Sequence, residues 1–267
     1  MKNSGINWTH HTANFWWGCM KVSPGCTNCY ALTLSKRYGK SIWGPPQTTD
    51  RELKSGIWKE ILKWDKEAGS DGVRRRVFVS SMSDFLEDHP QVVEWRERAK
   101  AIMADLKNLD VLLLTKRLEN APRFLADWMK DFPPHVWMGT SVEDQKAANE
   151  RIPYLLKIPA QIKFLSVEPM LSSVDLTRIP IPPIPAVMNS LHRASIFAPS
   201  VQWVIVGGES QVNCRPFEVE WARDLLRQCR DSGTKFWMKQ LGGHPYSRHE
   251  LADLPEDLRV RELPVKE

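Results

Sequence analysis

The sequence predicts an α/β fold, a parallel (β/α) barrel, complete or partial, on three observations. Short apolar runs recur along the chain and each ends abruptly in polar residues: RVFVSSMSD (76–84), VLLLTKR (111–117), VWMGTSVED (136–144), IKFLSVEP (162–169), WVIVGGES (203–210) and KFWMKQLGG (235–243). Helical stretches lie between most of them, at strand-to-strand spacings that predict βαβ units and a parallel sheet. The length of 267 residues suits such a barrel, which takes roughly 250.

Taken in order, the chain opens with INWTHHTANFWWG (6–18), whose Phe15-Trp16-Trp17 reads as the end of a first strand. That strand brings the predicted total to seven. YALTLSKRYGK (30–40) has helical character and stops at Gly39, a turn-rich SIWGPPQTTD follows, and Ile57 to Ala68 reads as a second helix. Residues 91–106 place Val92, Trp95, Ala99, Ile102, Met103 and Leu106 on one helical face. Residues 118–130, 144–156 and 218–229 behave similarly; Cys229 shares a face with Trp221 and Leu225 and reads as core, and His135, just before a strand, reads as structural. The exception is the proline-rich 178–200, which cannot be a regular helix and reads as an insertion or flap. The charged tail from about residue 245 reads as a short appendage. The whole chain, 1–267, is expected to form a single barrel domain.

Composition narrows the class. The 42% hydrophobic and 26% charged fractions are those of an ordinary globular protein. Five cysteines, an odd number, suit a reducing cytoplasm better than a disulfide scaffold. No apolar run reaches the roughly 18 residues a membrane span needs, and MKNSGINWTHH lacks the apolar centre of a signal peptide. The net charge of +5 permits an anionic partner without defining a site for one.

Three of the five cysteines, Cys19, Cys26 and Cys29, fall within eleven residues, spaced C-x6-C-x2-C around Pro24-Gly25. Proline fixes its φ and Gly25 is free to take φ > 0, so the loop can fold back and gather the thiols. Three readings stand. The cysteines are unconnected core residues; or His10 or His11 completes a Cys3His zinc site; or three thiolates hold a 4Fe-4S cluster whose fourth iron stays open to substrate or S-adenosylmethionine (SAM). The spacing differs from the common C-x3-C-x2-C of radical-SAM enzymes, and Asn28 stands where an aromatic often precedes the last cysteine. The polar strand ends fall where barrels and open parallel sheets carry their sites, and the cysteine loop leaves its own strand at that same end.

The chain resembles the phage Gp37/Gp68 family (DUF5131) from about Ile6 to Gly243. The resemblance rests on INWTHHTANFWWGC, VSPGCTNCYA, VFVSSMSDF, LLTKR, VWMGTSVED with the downstream RIPYLL, FLSVEPM, WVIVGGES with Arg215-Pro216, and KFWMKQLGG. It departs from the family pattern in the 178–200 insertion and at Cys214. The three-cysteine loop and strand pattern of this family are similar to those of radical-SAM proteins, which implies a barrel of that type, a cluster, SAM and an external electron donor. By position, the resemblance implies that Cys19, Cys26 and Cys29 hold iron. Ser83 and Asp84 would hold the SAM amine, although the usual Gly-Gly-Glu is absent. Lys116 and Arg117 offer cations to the SAM carboxylate or a substrate anion. Glu143 and Glu168, with Ser141 and Ser166 at the same strand ends, would bind the ribose. Gly207-Gly208-Glu209 would let the backbone approach adenosine, and Lys116, Lys239 and Gln240 would reach substrate.

Each residue also has a structural reading. Asp84 caps a helix, Lys116 and Arg117 pair with neighbouring carboxylates, Glu143 favours a helix N-terminus, and the two glycines serve a tight turn. Asp84, Lys116, Glu143, Glu168 and Glu209 are expected to line one pocket, with Lys116 and Arg117 balancing only part of its charge. The remainder would await the ammonium and sulfonium of SAM. The resulting function is a radical-SAM enzyme acting on a nucleic acid or nucleotide. The alternatives are a cluster- or zinc-stabilised nucleic-acid-binding protein without catalysis, and a metal-dependent hydrolase, against which stands the lack of His-x-His at any strand end.

Overall fold

A computed structural model describes residues 1–192, 199–243 and 249–264. Seven strands form one sheet: β1 (His11–Ala13), β2 (Arg75–Val79), β3 (Leu109–Thr115), β4 (Val136–Ser141), β5 (Lys163–Val167), β6 (Trp203–Gly207) and β7 (Lys235–Gln240). They lie in the sheet in chain order, and the pairings β1–β2, β2–β3, β5–β6 and β6–β7 are parallel. Helices alternate with them: α1 (Tyr30–Arg37), α2 (Ile57–Asp71), α3 (Val93–Asp105), α4 (Ala121–Phe124), α5 (Gln145–Lys157) and α6 (Val219–Ser232). This is an α/β fold, a partial (β/α) barrel. Among the described residues no helix is long and apolar enough to cross a membrane.

The chain divides into two compact units, Met1–Met138 and Gly139–Glu267. In the first, β2 and β3 bury Val77, Phe78, Val79, Val111, Leu112 and Leu113, the near-continuous apolar run of strands covered on both faces. Ile57, Trp58, Ile61, Trp64 and Ala68 form the buried stripe of α2, which ends at Gly72 in the left-handed conformation, φ +70°. In the second unit Phe164, Leu165, Val167, Val204, Ile205, Val206, Phe236 and Met238 are buried on β5 to β7. Ala222, Leu225, Leu226 and Cys229 form the buried face of α6. Cys229 is core, as its helical position predicts. His135 is structural: it is buried and its Nε2 lies 2.7 Å from the Met103 carbonyl. Asp144 caps α5 by accepting the Ala147 amide at 2.8 Å.

Two expectations are corrected. The first strand ends at Ala13; Trp16–Trp17 pairs antiparallel with Glu52–Leu53 in a separate small sheet. The cause is Asn14, whose Oδ1 accepts the Met82 amide at 2.8 Å and turns the chain, and the burial of Phe15 on Trp58 and of Trp16 on Phe85. The helix expected over 118–130 shrinks to a 3-10 turn, Leu118–Asn120, and the short α4. The Lys100 ammonium, on a buried side chain of α3, takes Asp127 at 2.7 Å, a tertiary contact that overrides the local periodicity. The segment 178–200 carries a two-stranded pair, Ile179–Pro180 with Val187–Met188, and its residues 193–198 lie outside the described residues. Of the tail, 244–248 and 265–267 lie outside them too. Its described part runs along β7, where Met238 donates to Val260 and Glu262 to Phe236 at 2.8 and 2.9 Å, covering backbone that an edge strand would otherwise expose.

Candidate functional site

In the first unit the cysteine loop leaves the carboxyl end of β1 and is stitched to the turn after β2. Gly18 bridges Ser83 in parallel and donates to the Met82 carbonyl at 3.0 Å. The left-handed residue of the segment is Gly18, φ +112°, rather than Gly25. A Cβ at Gly18 would sit 2.5 Å from the Ile42 carbonyl oxygen and 2.7 Å from Arg51 Cδ, so the chain before Cys19 can pass only as glycine. Pro24–Cys26 forms a 3-10 turn, and Cys29 stands at the start of α1.

Beneath the loop lie two interlocked ion pairs. Asp84 accepts the Thr115 hydroxyl at 2.5 Å, the Leu86 and Lys116 amides at 3.0 Å each, and Arg117 Nη1 at 2.7 Å. Burial pushes the Asp84 carboxyl up, but Arg117, the hydroxyl and the two amides outweigh it and hold Asp84 below the ordinary value. Arg117 Nη1 also lies 3.6 Å from Cys19 Sγ, and its Nη2 donates to the Met20 carbonyl at 2.6 Å. The Met20 amide donates to Glu87 at 2.8 Å, and Glu87 is held by Arg51 through two bonds of 2.8 and 3.0 Å. The Cys19 residue keeps some exposure while its thiol is enclosed; burial raises the thiol's pKa by more than Arg117 lowers it. Burial raises Cys29 too, against the amides of Leu32 and Ala31 and the nearby charge of Lys116.

Neither histidine of the zinc reading belongs to this loop. His10 accepts the Arg76 amide at 2.9 Å at the amino end of β2, and His11 packs on Trp64 at 4.8 Å. Among the described residues, no three His, Cys, Asp or Glu side chains are placed as a ligand set for one ion. What fits is the chemistry of the donors: three cysteines on one loop, none in a disulfide and none fully buried as a residue. Beside it, the buried hydroxyl oxygens of Ser80 and Ser83 have no hydrogen-bond partner among the described residues, and Ser80 holds φ +71°, a conformation that costs energy in a non-glycine residue.

In the second unit the strand-end carboxylates each have a cation of their own. Glu143, at the end of β4, meets Arg151 of α5 at 2.6 Å, and the same guanidinium donates to the Ser141 carbonyl at 2.8 Å. Glu168 pairs with Lys239 and accepts the Ser166 hydroxyl at 3.4 Å. Glu209 pairs with Arg215, whose amide also donates to it at 2.8 Å. Gln240 donates to the Gly208 carbonyl at 2.8 Å. A Cβ on Gly208 would lie 2.5 Å from the Gly242 amide nitrogen, and one on Gly207 3.0 Å from Glu168 Oε1. The approach of the protein to itself already demands the glycine at 208.

Among the described residues Asp84, Glu143, Glu168 and Glu209 are each paired with a cation of the protein. Arg117 is committed to Asp84, Met20 and Cys19. The sequence reading assigned no role to Arg51, Glu87, Asn14, Arg151 or Arg215. Asn14, Arg151 and Arg215 stand inside recognised motifs, which was their only signal; Arg51 and Glu87 meet across a separation no local pattern reveals.

A family model described as "Protein of unknown function (DUF5131)" matches residues 3–262. The comparisons with curated proteins and with solved structures find no match.

Proposed function

The chain belongs to the DUF5131 family, and from that premise we propose that it is an iron-sulfur enzyme of the radical-SAM kind. One observation carries the reading. A loop with three thiols and no disulfide leaves the carboxyl end of β1 and lies against the turn after β2 and the end of β3, through Gly18–Ser83 and Cys19–Arg117. Cys19, Cys26 and Cys29 would hold a 4Fe-4S cluster, and since they are not yet grouped, gathering them and loading the group would be one event. When bound, such a cluster with an open iron supplies the electron that cleaves SAM, drawing on an external donor.

The protein's own part is to hold and to exclude water. The Ser80 and Ser83 hydroxyls have hydrogen-bonding capacity left for a polar ligand beside the loop. Asp84, saturated by its four donors, is the pedestal on which Arg117 and the β3 end are fixed. Lys239 and Glu168 form a partly exposed pair that a ligand can compete for. The substrate class we favour is a nucleic acid or nucleotide, supported by the net charge of +5.

The test is anaerobic incubation of reconstituted protein with SAM and dithionite, followed by chromatography for 5′-deoxyadenosine. Wild type should yield it and Cys26→Ala should not. A loaded wild-type protein that leaves SAM intact, with no spectral response to it, contradicts the proposal.

A further inference from the structure

We propose that Arg117 is the positioning residue of Cys19 and, resting on the cluster reading above, the residue that sets the reduction potential of the group Cys19 helps to hold. Arg117 is 5% exposed, and its guanidinium joins the pedestal to the loop through its two terminal nitrogens. Nη1 reaches Asp84 at 2.7 Å and Cys19 Sγ at 3.6 Å, and Nη2 reaches the Met20 carbonyl at 2.6 Å. The other side of the same residue is fixed through the Met20 amide on Glu87, 2.8 Å. Cys19 is thus clamped by its own sulfur and by both backbone groups of its neighbour, whereas the contacts of Cys26 are local, its sulfur 3.8 Å from the Ser23 hydroxyl and its amide donating to the Ser23 carbonyl at 2.9 Å. The Cys19 thiol is tied to a cation distant in sequence, while Cys29, in the C-x2-C pair beyond it, meets the local amides of Leu32 and Ala31.

The chemistry follows from charge. Reduction adds a negative charge to a thiolate-bound cluster, and an N–H donor with a full positive charge beside one ligating sulfur stabilises the reduced form. Asp84 and Glu87 neutralise the network as a whole, and Asp84 shares Nη1 with the sulfur, but among the described residues no hydrogen bond joins either carboxylate to the sulfur. The guanidinium is the charged group that donates to the sulfur, at 3.6 Å, and its charge acts there against those of Glu87 and Asp84.

The experiment compares wild type, Arg117→Gln and Arg117→Lys. After reconstitution, spectroelectrochemistry reads the midpoint potential and iron analysis reads occupancy. Arg117→Gln should make reduction at least tenfold less favourable, 59 mV for a one-electron couple, with iron content retained. Arg117→Lys keeps the charge balance and the fold but loses the fork, so its potential should fall between the two. In the unloaded proteins, hydrogen exchange over 14–22 should accelerate severalfold in Arg117→Lys while exchange over 235–240 stays unchanged. Loaded variants with wild-type potential, or unchanged exchange over 14–22, would overturn the proposal. Should wild type take up no iron, the cluster reading fails, and the exchange measurement still decides whether Arg117 positions Cys19.

Discussion

Replacing Asp84 by asparagine tests the buried network most sharply. The side chain's Oδ1 would go on accepting the Thr115 hydroxyl and the Leu86 amide. At the Oδ2 position an NH2 would face two donors, the Lys116 amide and Arg117 Nη1, now 3.0 and 2.7 Å away. A hydrogen bond to a charged group contributes about 1.5–3 kcal/mol, and removing one partner of a buried pair costs about 3–5 kcal/mol. Glu87 remains 3.6 Å from the guanidinium, which places the loss near the lower end, about 3 kcal/mol. The assay is urea unfolding at neutral pH in a double-mutant cycle with Arg117→Gln. The coupling should exceed about 1 kcal/mol, as for neighbours in one network. The pH dependence has a definite sign. The folded carboxyl lies below its ordinary value, so its contribution is complete above the unfolded value of about 3.9 and is lost as pH falls through the lower folded one. The deficit of Asp84→Asn should therefore shrink in acid. A variant within about 0.5 kcal/mol of wild type at neutral pH, the level of an ordinary surface change, would refute the reasoning.

Three further outcomes are expected. Lys163 is buried with its ammonium on the Ala160 carbonyl, and burial lowers its pKa to about 8; Lys163→Met should stabilise the protein at pH 7 by up to roughly 3 kcal/mol at about 1.4 per pKa unit. Wild-type stability should in turn rise as pH climbs from about 8 toward the unfolded value near 10.4, and a destabilised Met variant in urea would contradict this. Gly18→Ala should cost about 1–3 kcal/mol from the left-handed backbone alone, with more from the contact at Ile42; a wild-type unfolding midpoint would show that the loop is not held as described. Glu168→Gln should weaken SAM binding by the loaded protein while fold and iron content stay intact, and unaltered affinity and cleavage would leave Glu168 to its pair with Lys239 alone.

The parallel sheet was legible because each strand is an apolar run cut off by polar residues, a pattern that needs no tertiary information. The same logic failed at 15–17, where Trp16 is apolar for a different reason: it covers Phe85 rather than extending β1. It failed again at 118–130, where Asp127 serves a lysine on α3. At the strand ends, residue types were readable but their use was not. Asp84 and Arg117 could each be named from sequence, though not as a pair, and the choice between ligand and structure depends on how many donors surround the carboxylate. Arg51 and Glu87, 36 residues apart, leave no periodic trace at all. The cysteine spacing shows which atoms are available, whereas the anchoring of Cys19 by Arg117 arises only when β1 and β3 are brought to the same turn.

The central claim, that Cys19, Cys26 and Cys29 hold a 4Fe-4S cluster, is tested most directly by counting iron and acid-labile sulfide per chain after anaerobic reconstitution. Wild type and Cys229→Ala should each carry about four of both, and Cys19→Ala, Cys26→Ala and Cys29→Ala should each lose the cluster. A wild-type chain that binds one zinc tightly and takes up no iron, or single variants that load as fully as wild type, would contradict the account.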